Sequence, residues 1–510
     1  MNKLIVLLSL LILSVQSCTA IKVQAPVNLI IAPGSISSND VTILWHKPDE
    51  YASIVKYQVF VNGKVVGSTP VCNYRLTGLK PNTTYKIGIC AEDKNGVLSA
   101  QTRLLAVKTK DAGSVLNVEQ FGAKGDGTTI NTKAIQQAID QCPVNGIVLI
   151  PKGIFVTGAL HLKSNMTLLI AKDAVLQGSV RVEDYLPMIK NRFEGWEMET
   201  FASLLNAGRL DRNGGYNIEN LSIRGEGTIA GGSAVLSKAM IDAKGMRGRG
   251  RLICLMNSRD VEIQGLQIRD SPCWTIHYIY SKNISCHDLD IRSAVANGDG
   301  IDPDSSEDGY IFNCRFSNSD DCIAIKSGKN PEGYYIGKPT KNIQITSCDF
   351  VEGHGISIGS EMSGGIKNIL VRDCKAGNLI YGMQIKATKD RGGVVEGVVV
   401  KDCFLRKISI LTKLPYNNDG DPAPVLPLFR SFEFSSINMT EAGAGQAVIN
   451  INGFADSLHY TSHLLFKDII LPEEAEISIN ECRDVQFTDV RSGNGKKPVY
   501  KMNNTIDIKN

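Results

Sequence analysis

Four short polar clusters between Asn297 and Lys386 hold the residue types best suited to chemistry: Asn297-Gly298-Asp299, Asp320-Asp321, Gly353-His354-Gly355 and Gln384-Ile385-Lys386. Paired carboxyls are the equipment of acid–base hydrolysis. One gives a proton to a departing oxygen, while ionised carboxylate activates a water. A histidine freed by flanking glycines can reach into such a site, and a lysine offers positive charge to an anionic substrate group. Taken singly, an Asp-Asp pair is a solvated turn, a lone histidine a satisfied structural donor and a lone lysine ordinary surface. Their spacing argues otherwise. From Asp299 to Asp321, His354 and Lys386 the steps are 22, 33 and 32 residues.

Segments between the clusters, such as Asn342-Ile343-Gln344-Ile345 and Asn368-Ile369-Leu370-Val371, alternate or run apolar and read as short strands. A coil of parallel strands needs this spacing to return to the same place once per turn. Stacked strands lie ~4.8 Å apart, so side chains one turn apart share a face. Three carboxylates, a histidine and a lysine are then expected on one wall. Adjacent turns bearing Asp299 and the Asp320-Asp321 pair can supply the separation of roughly 6.5–9.5 Å that leaves room for a hydrolytic water. Crowded like charges raise at least one pKa and keep a proton available. Asp302 and Asp304 are expected to shape the Gly300-Ile301-Asp302-Pro303 turn or to pair with backbone amides.

Strand-like segments recur from Val148 to the end of the chain, among them Thr167-Leu168-Leu169-Ile170, Val261-Glu262-Ile263 and Val485-Gln486-Phe487. Before them, Phe121-Gly122-Ala123-Lys124-Gly125-Asp126-Gly127 lacks the Lys-Ser/Thr ending of a phosphate loop and the spacing of a dinucleotide fingerprint. Asn131 or Thr132 is placed to cap a helix whose apolar face carries Ala134, Ile135, Ala138 and Ile139. Such a helix can plug the open first turn of a β coil. The irregular insert from Arg192 to Arg212 walls a cleft or covers the outside of the coil.

At 510 residues, with 43% hydrophobic and 21% charged positions, the chain has room for two or three domains of an ordinary globular protein. A net charge of +3, with no basic run or aromatic-basic platform, argues against nucleic acid as partner. Residues 1–20 have the basic start and short apolar run of a signal peptide, too short to span a membrane. Export to the periplasm, cell surface or medium of a bacterium is expected. Val15-Gln16-Ser17-Cys18 leaves a lipid anchor at Cys18 open. Cys286, Cys314, Cys348, Cys374 and Cys403 recur at 28, 34, 26 and 29 residues, which favours a stacked, buried ladder over disulfides. Oligomeric state is not legible.

Residues 25–110 form a separate unit of short strands punctuated by Asn62-Gly63 and Asn95-Gly96. Trp45 on an early strand, and Tyr85 after Leu79-Lys80-Pro81-Asn82-Thr83-Thr84, resemble the buried tryptophan and tyrosine corner of a fibronectin type III sandwich.

Within residues 115–510, the four clusters in their order, the Phe121–Gly127 start, Arg192-Phe193-Glu194-Gly195-Trp196-Glu197 and Ser271-Pro272-Cys273-Trp274-Thr275-Ile276-His277 together resemble the polygalacturonase family, glycoside hydrolase family 28. The resemblance implies an all-β chain: a right-handed parallel β-helix preceded by the small sandwich, an arrangement similar to some exo-acting bacterial members. It implies inverting cleavage of α-galacturonide bonds in pectic poly- or oligosaccharides, without metal or other cofactor. Asp320 would be the general acid, Asp299 and Asp321 would hold the water, His354 would assist the acid or orient the sugar, and Lys386, Gln384 and Asn297 would bind substrate. Gln384 stands where the family usually has arginine, which argues against a uronate on the leaving-group side and for a neutral neighbour such as the rhamnose of rhamnogalacturonan. Trp274 is expected to stack on a sugar or pack in the core. Two alternatives stand beside this reading: a β-helical polysaccharide lyase whose aspartates are calcium ligands, and a non-catalytic glycan-binding protein or adhesin.

Overall fold

A computed structural model describes residues 23–412, 420–442 and 447–509. Residues 1–22, Cys18 among them, lie outside these ranges. Two compact units are present.

In the first, a sheet of Val27–Ile31, Val41–His46 and Asn73–Leu76 is paired in a sandwich with one of Lys64–Thr69, Ile54–Val61, Thr84–Asp93 and Leu105–Lys108. Asn62 and Gly63 both take positive φ, 50° and 79°, as the tight turn of a hairpin requires. Trp45 is buried and meets Tyr57 edge-on at 5.3 Å.

The second unit is a parallel β-helix that begins with Val115–Asn117 and continues to Val499–Lys509. Its register makes like stack on like. Ile263, Cys286, Ile311, Ile345, Val371 and Val400 follow one another on successive turns, and Phe434, Phe466 and Phe487 continue the column. The last three rings stack 5.0 and 4.9 Å apart. Each such side chain removes on the order of 1.5–3 kcal/mol of apolar surface from water. One column therefore fixes the register of many turns, since a one-residue slip would expose it all. At the corners Asn313, Asn342 and Asn368 take φ of 53°, 58° and 56°, the left-handed conformation asparagine tolerates best among residues with a side chain.

The helix Thr132–Gln141 lays Ile135, Ala138 and Ile139 on the first turns of this core. Asn131 precedes it without capping it by its side chain. Its amide instead accepts from Lys124 N and donates to the carbonyls of Lys124 and Thr129, tying the helix to the preceding glycine-rich loop. That loop is a turn stapled by Asp126, whose carboxylate accepts from the backbone N–H groups of Thr128 and Thr129.

Every described cysteine is a buried free thiol. Cys314, Cys348, Cys374 and Cys403 form a ladder on successive turns, each buried thiol donating to the backbone carbonyl two residues before it. Cys286 does not belong to it. It sits three residues earlier on its turn, within the aliphatic column, and Leu289 holds the place equivalent to Cys314. Among the described residues no helix is long and apolar enough to cross a membrane.

Candidate active site

The strands Ile323–Ile325 and Lys375–Lys386 show how the coil builds its functional wall. Ile323 and Ile325 point into the core on one turn, as Met383 and Ile385 do two turns later. The residues that follow, Lys326 and Lys386, emerge on the same outer face. Both line a pocket of about 270 Å³, together with Asp299, Asp320, Asp321 and Asn297.

The acidic residues differ in their surroundings. Asp321 is 3% exposed. It accepts from Lys386 Nζ at 3.1 Å and Ser357 Oγ at 2.6 Å, with His354 Nδ1 at 3.3 Å. Burial alone would raise its pKa, but Lys386, His354, Lys326 and Ser357 hold it well below the usual carboxylate range. Asp320 is more open, and its Oδ1 accepts from Asp321 N at 2.9 Å and lies 3.1 Å from His354 Nδ1. Hydrogen bonds to Asp320 and Asp321 push His354 up to about 10, so it is an imidazolium at neutral pH. Burial, against the pull of Lys326 Nζ at 3.3 Å and with the push of Asp320 and Asp321, lifts Asp299 to about 7.

The local sequence explains these placements. A Cβ on Gly353 would come within 2.8 Å of the carbonyls of Asn318 and Asp320, and one on Gly355 within 2.3 Å of Gly382 O. Both glycines have positive φ, 125° and 90°. Only glycine on each side lets the chain press against its neighbours and present His354 to the carboxylates. Asn297, at φ 54°, turns the chain ahead of Asp299, and its Oδ1 accepts from Arg249 at 2.6 Å.

The wall thus gathers Asp299, Asp320, Asp321, Lys386 and Asn297 around one pocket, with His354 bonded to two of the aspartates. Gln384 lies outside the lining, buried between Ser357 and Ser409 of the adjacent turns. The expected backbone pairing of Asp302 and Asp304 is not found. Asp304 is ion-paired with Arg192 at 2.7 Å and holds His277 at 3.4 Å, because the Arg192–Arg212 insert folds its hairpin onto this face. Asp302 lies buried against Asp299.

Several lining residues escape sequence reasoning: Lys326, Lys329, Glu361 and Arg391. Lys326 has a readable signal, the in–out alternation of Ile323-Ala324-Ile325-Lys326. Arg391 stands on a loop without period. Its guanidinium donates to Asn330 Oδ1 at 2.6 Å and Ser360 O at 3.0 Å. Trp274 is buried, as core packing requires. It stacks on buried Phe193 at 5.0 Å and lines the pocket, with Lys326 Nζ 4.5 Å above its ring. The insert is likewise both wall and cover: Glu194 lines the pocket while Phe193 is sealed.

A β-helix carrying three aspartates and lysines in one pocket, with an imidazolium bonded to two of the aspartates, has the equipment of a carbohydrate-cleaving enzyme. The chain belongs to glycosyl hydrolases family 28, which it matches over residues 144–423, and is a glycoside hydrolase. Residues 24–104 match the fibronectin type III domain. The chain is 26% identical to an exo-poly-alpha-D-galacturonosidase of Dickeya chrysanthemi, over 92% of this chain and 91% of that one. A probable polygalacturonase of Vitis vinifera is 34% identical over 56% of this chain and 60% of its own. Among solved structures, the family 28 exopolygalacturonase of Yersinia enterocolitica superposes with a TM-score of 0.84 at 25% identity, covering 95% of this chain and 99% of that one.

Proposed function

We propose that residues 115–510 hydrolyse α-galacturonide bonds at the ends of pectic chains by a single inverting displacement. The observation that carries this reading is the shared pocket of Asp299, Asp320 and Asp321. Asp320, the most open of the three, protonates the glycosidic oxygen. The imidazolium of His354, 3.1 Å away, orients it and offers a proton to restore it. Asp321, held ionised by Lys386, and Asp299 take the water on the opposite face of the sugar.

The cations Lys329, Lys386 and Arg391 in the lining support a uronate as the bound sugar. Arg391 brings back the guanidinium that Gln384 lacks, from a different part of the chain. This favours polygalacturonan over a substrate with a neutral sugar at that place. Exo action is supported by the names of the Dickeya and Yersinia relatives. The pocket volume also falls near the low end of the ~300–1,000 Å³ usual for ligand sites, which suits a chain end. We also read the chain as exported, given its leader-like residues 1–20 and a polymeric substrate.

The lyase reading keeps one observation: ligand atoms of Asp320, Asp321 and His354 lie within 4.8 Å of one another, close enough to hold an ion. The imidazolium and Lys386 already supply positive charge there, which disfavours a bound cation. The deciding experiment is digestion of polygalacturonan and rhamnogalacturonan oligosaccharides with and without chelator. Hydrolysis predicts chelator-resistant release of galacturonate without ultraviolet-absorbing unsaturated ends, abolished in D320N. Unsaturated, chelator-sensitive products would replace the proposal with the lyase.

A further inference from the structure

Asp302 is fully buried one strand position from the core residue Ile301, and neither of its carboxyl oxygens has a hydrogen-bond donor among the described residues. Oδ1 of its neighbour Asp299 is in the same state. Yet the two carboxyl groups are close enough to perturb each other and crowd around one ammonium, Lys326 Nζ, at 3.3 Å from Asp299 and 3.5 Å from Asp302. Two carboxylates cannot hydrogen-bond without a proton between them, because each is then an acceptor only. Leaving three buried carboxyl oxygens without a donor would cost several kcal/mol.

We infer that Asp302 is a positioning residue that keeps its proton and donates it as a hydrogen bond to Asp299, so that Asp299 remains ionised and correctly aimed at the water. The inference rests on the reading of Asp299 as a water-holding base.

The surrounding groups decide which carboxyl holds the proton. Lys326 Nζ is nearer Asp299, at 3.3 Å, than Asp302, at 3.5 Å, and is shared with Glu361 at 3.7 Å. On the preceding turn, His277 is the direct register partner of Asp302. Burial depresses its pKa to about 4, so it brings no charge at neutral pH. Arg251 pulls Asp302 toward its charged form, but burial and the Asp299 charge outweigh it. Asp299 also faces the open pocket, where water can solvate a charge, whereas Asp302 does not. Burial and the Asp299 charge push Asp302 well above the ordinary aspartate range. One proton shared by two crowded carboxyls is the arrangement that lets one of them stay charged.

The test compares D302N, whose amide can still donate, with D302V, which cannot. D302N should lose far less kcat than D302V, which should fall at least ~100-fold, the lower end of what a positioned base contributes. KM should change little in either. The acid limb of the pH profile should stay in place in D302N and move to higher pH in D302V, where the Asp299 anion has lost its donor. If Asp302 is instead an anion, D302N removes a repelling charge and its acid limb moves to lower pH, which overturns the inference. Infrared difference spectra of wild type against D302N, at mildly alkaline pH where Asp299 is ionised, give a readout independent of turnover. A protonated-carboxyl band that D302N abolishes is expected; its absence from the wild type sinks the inference even if D302V fails to fold. A wild type that hydrolyses no pectic substrate would refute the proposed function, while the infrared band would still judge the proton.

Discussion

Lys386 Nζ stands 3.1 Å from Asp321 Oδ2, and both side chains are nearly sealed from solvent, at 6% and 4% exposure. The lysine is the largest attractive influence opposing the burial of Asp321. Replacing it with methionine takes the strongest charge partner from a buried carboxylate, a break that typically costs up to ~3–5 kcal/mol. K386M should therefore lose stability in denaturant titrations. It should also lose at least ~100-fold in kcat/KM, because Asp321 would then take up a proton and cease to hold water. Activity within a fewfold of wild type would show that Asp321 needs no cation.

His354 gives a pH dependence with a definite sign. Its pKa rises from 6.5 unfolded to about 10 folded, through bonds to Asp320 and Asp321. The stabilisation is complete below the unfolded value and is lost as pH rises through about 10. The difference in Tm between wild type and H354N should be largest in mildly acidic to neutral buffer and close toward pH 10. A gap that widens with rising pH would contradict the imidazolium.

Arg391 tests the substrate. R391K keeps the charge but loses the planar fork that grips a carboxylate at two points. KM for oligogalacturonates should rise about tenfold, near the 1.5–3 kcal/mol of a charge-assisted hydrogen bond, with kcat less affected. Methyl-esterified oligomers, which carry no charge at that place, should show little change. Equal losses on both substrates would make Arg391 a loop anchor to Asn330 and Ser360 alone.

The cysteine ladder predicts that reductant leaves Tm unchanged, since Cys314, Cys348, Cys374 and Cys403 are free thiols that donate to backbone carbonyls. A buried disulfide would be worth ~2–4 kcal/mol, and its reduction would lower Tm by several degrees.

These predictions also show what the chain reveals before it folds. Turn spacing and alternation sufficed to bring Asp299, Asp321 and Lys386 to one wall, because a parallel coil turns sequence period into spatial neighbourhood. The same logic reaches Lys326, whose Ile-Ala-Ile-Lys setting matches the alternation before Lys386. It cannot reach Arg391 or the Arg192–Asp304 pair, which depend on loops that fold back without a period. Cys286 illustrates a finer limit. Its recurrence interval fits the ladder, but turns differ in length, and a three-residue offset moves it into another column. Asp302 looked like a turn residue because proximity to Asp299, and the missing donors around both, exist only in three dimensions.

The central claim is that these carboxylates direct one water onto the face opposite the departing oxygen. Proton NMR of the first product released from an α-linked oligogalacturonate, recorded before mutarotation, tests it most directly. The account predicts galacturonate with a β reducing end; an α reducing end at the earliest time points would contradict it.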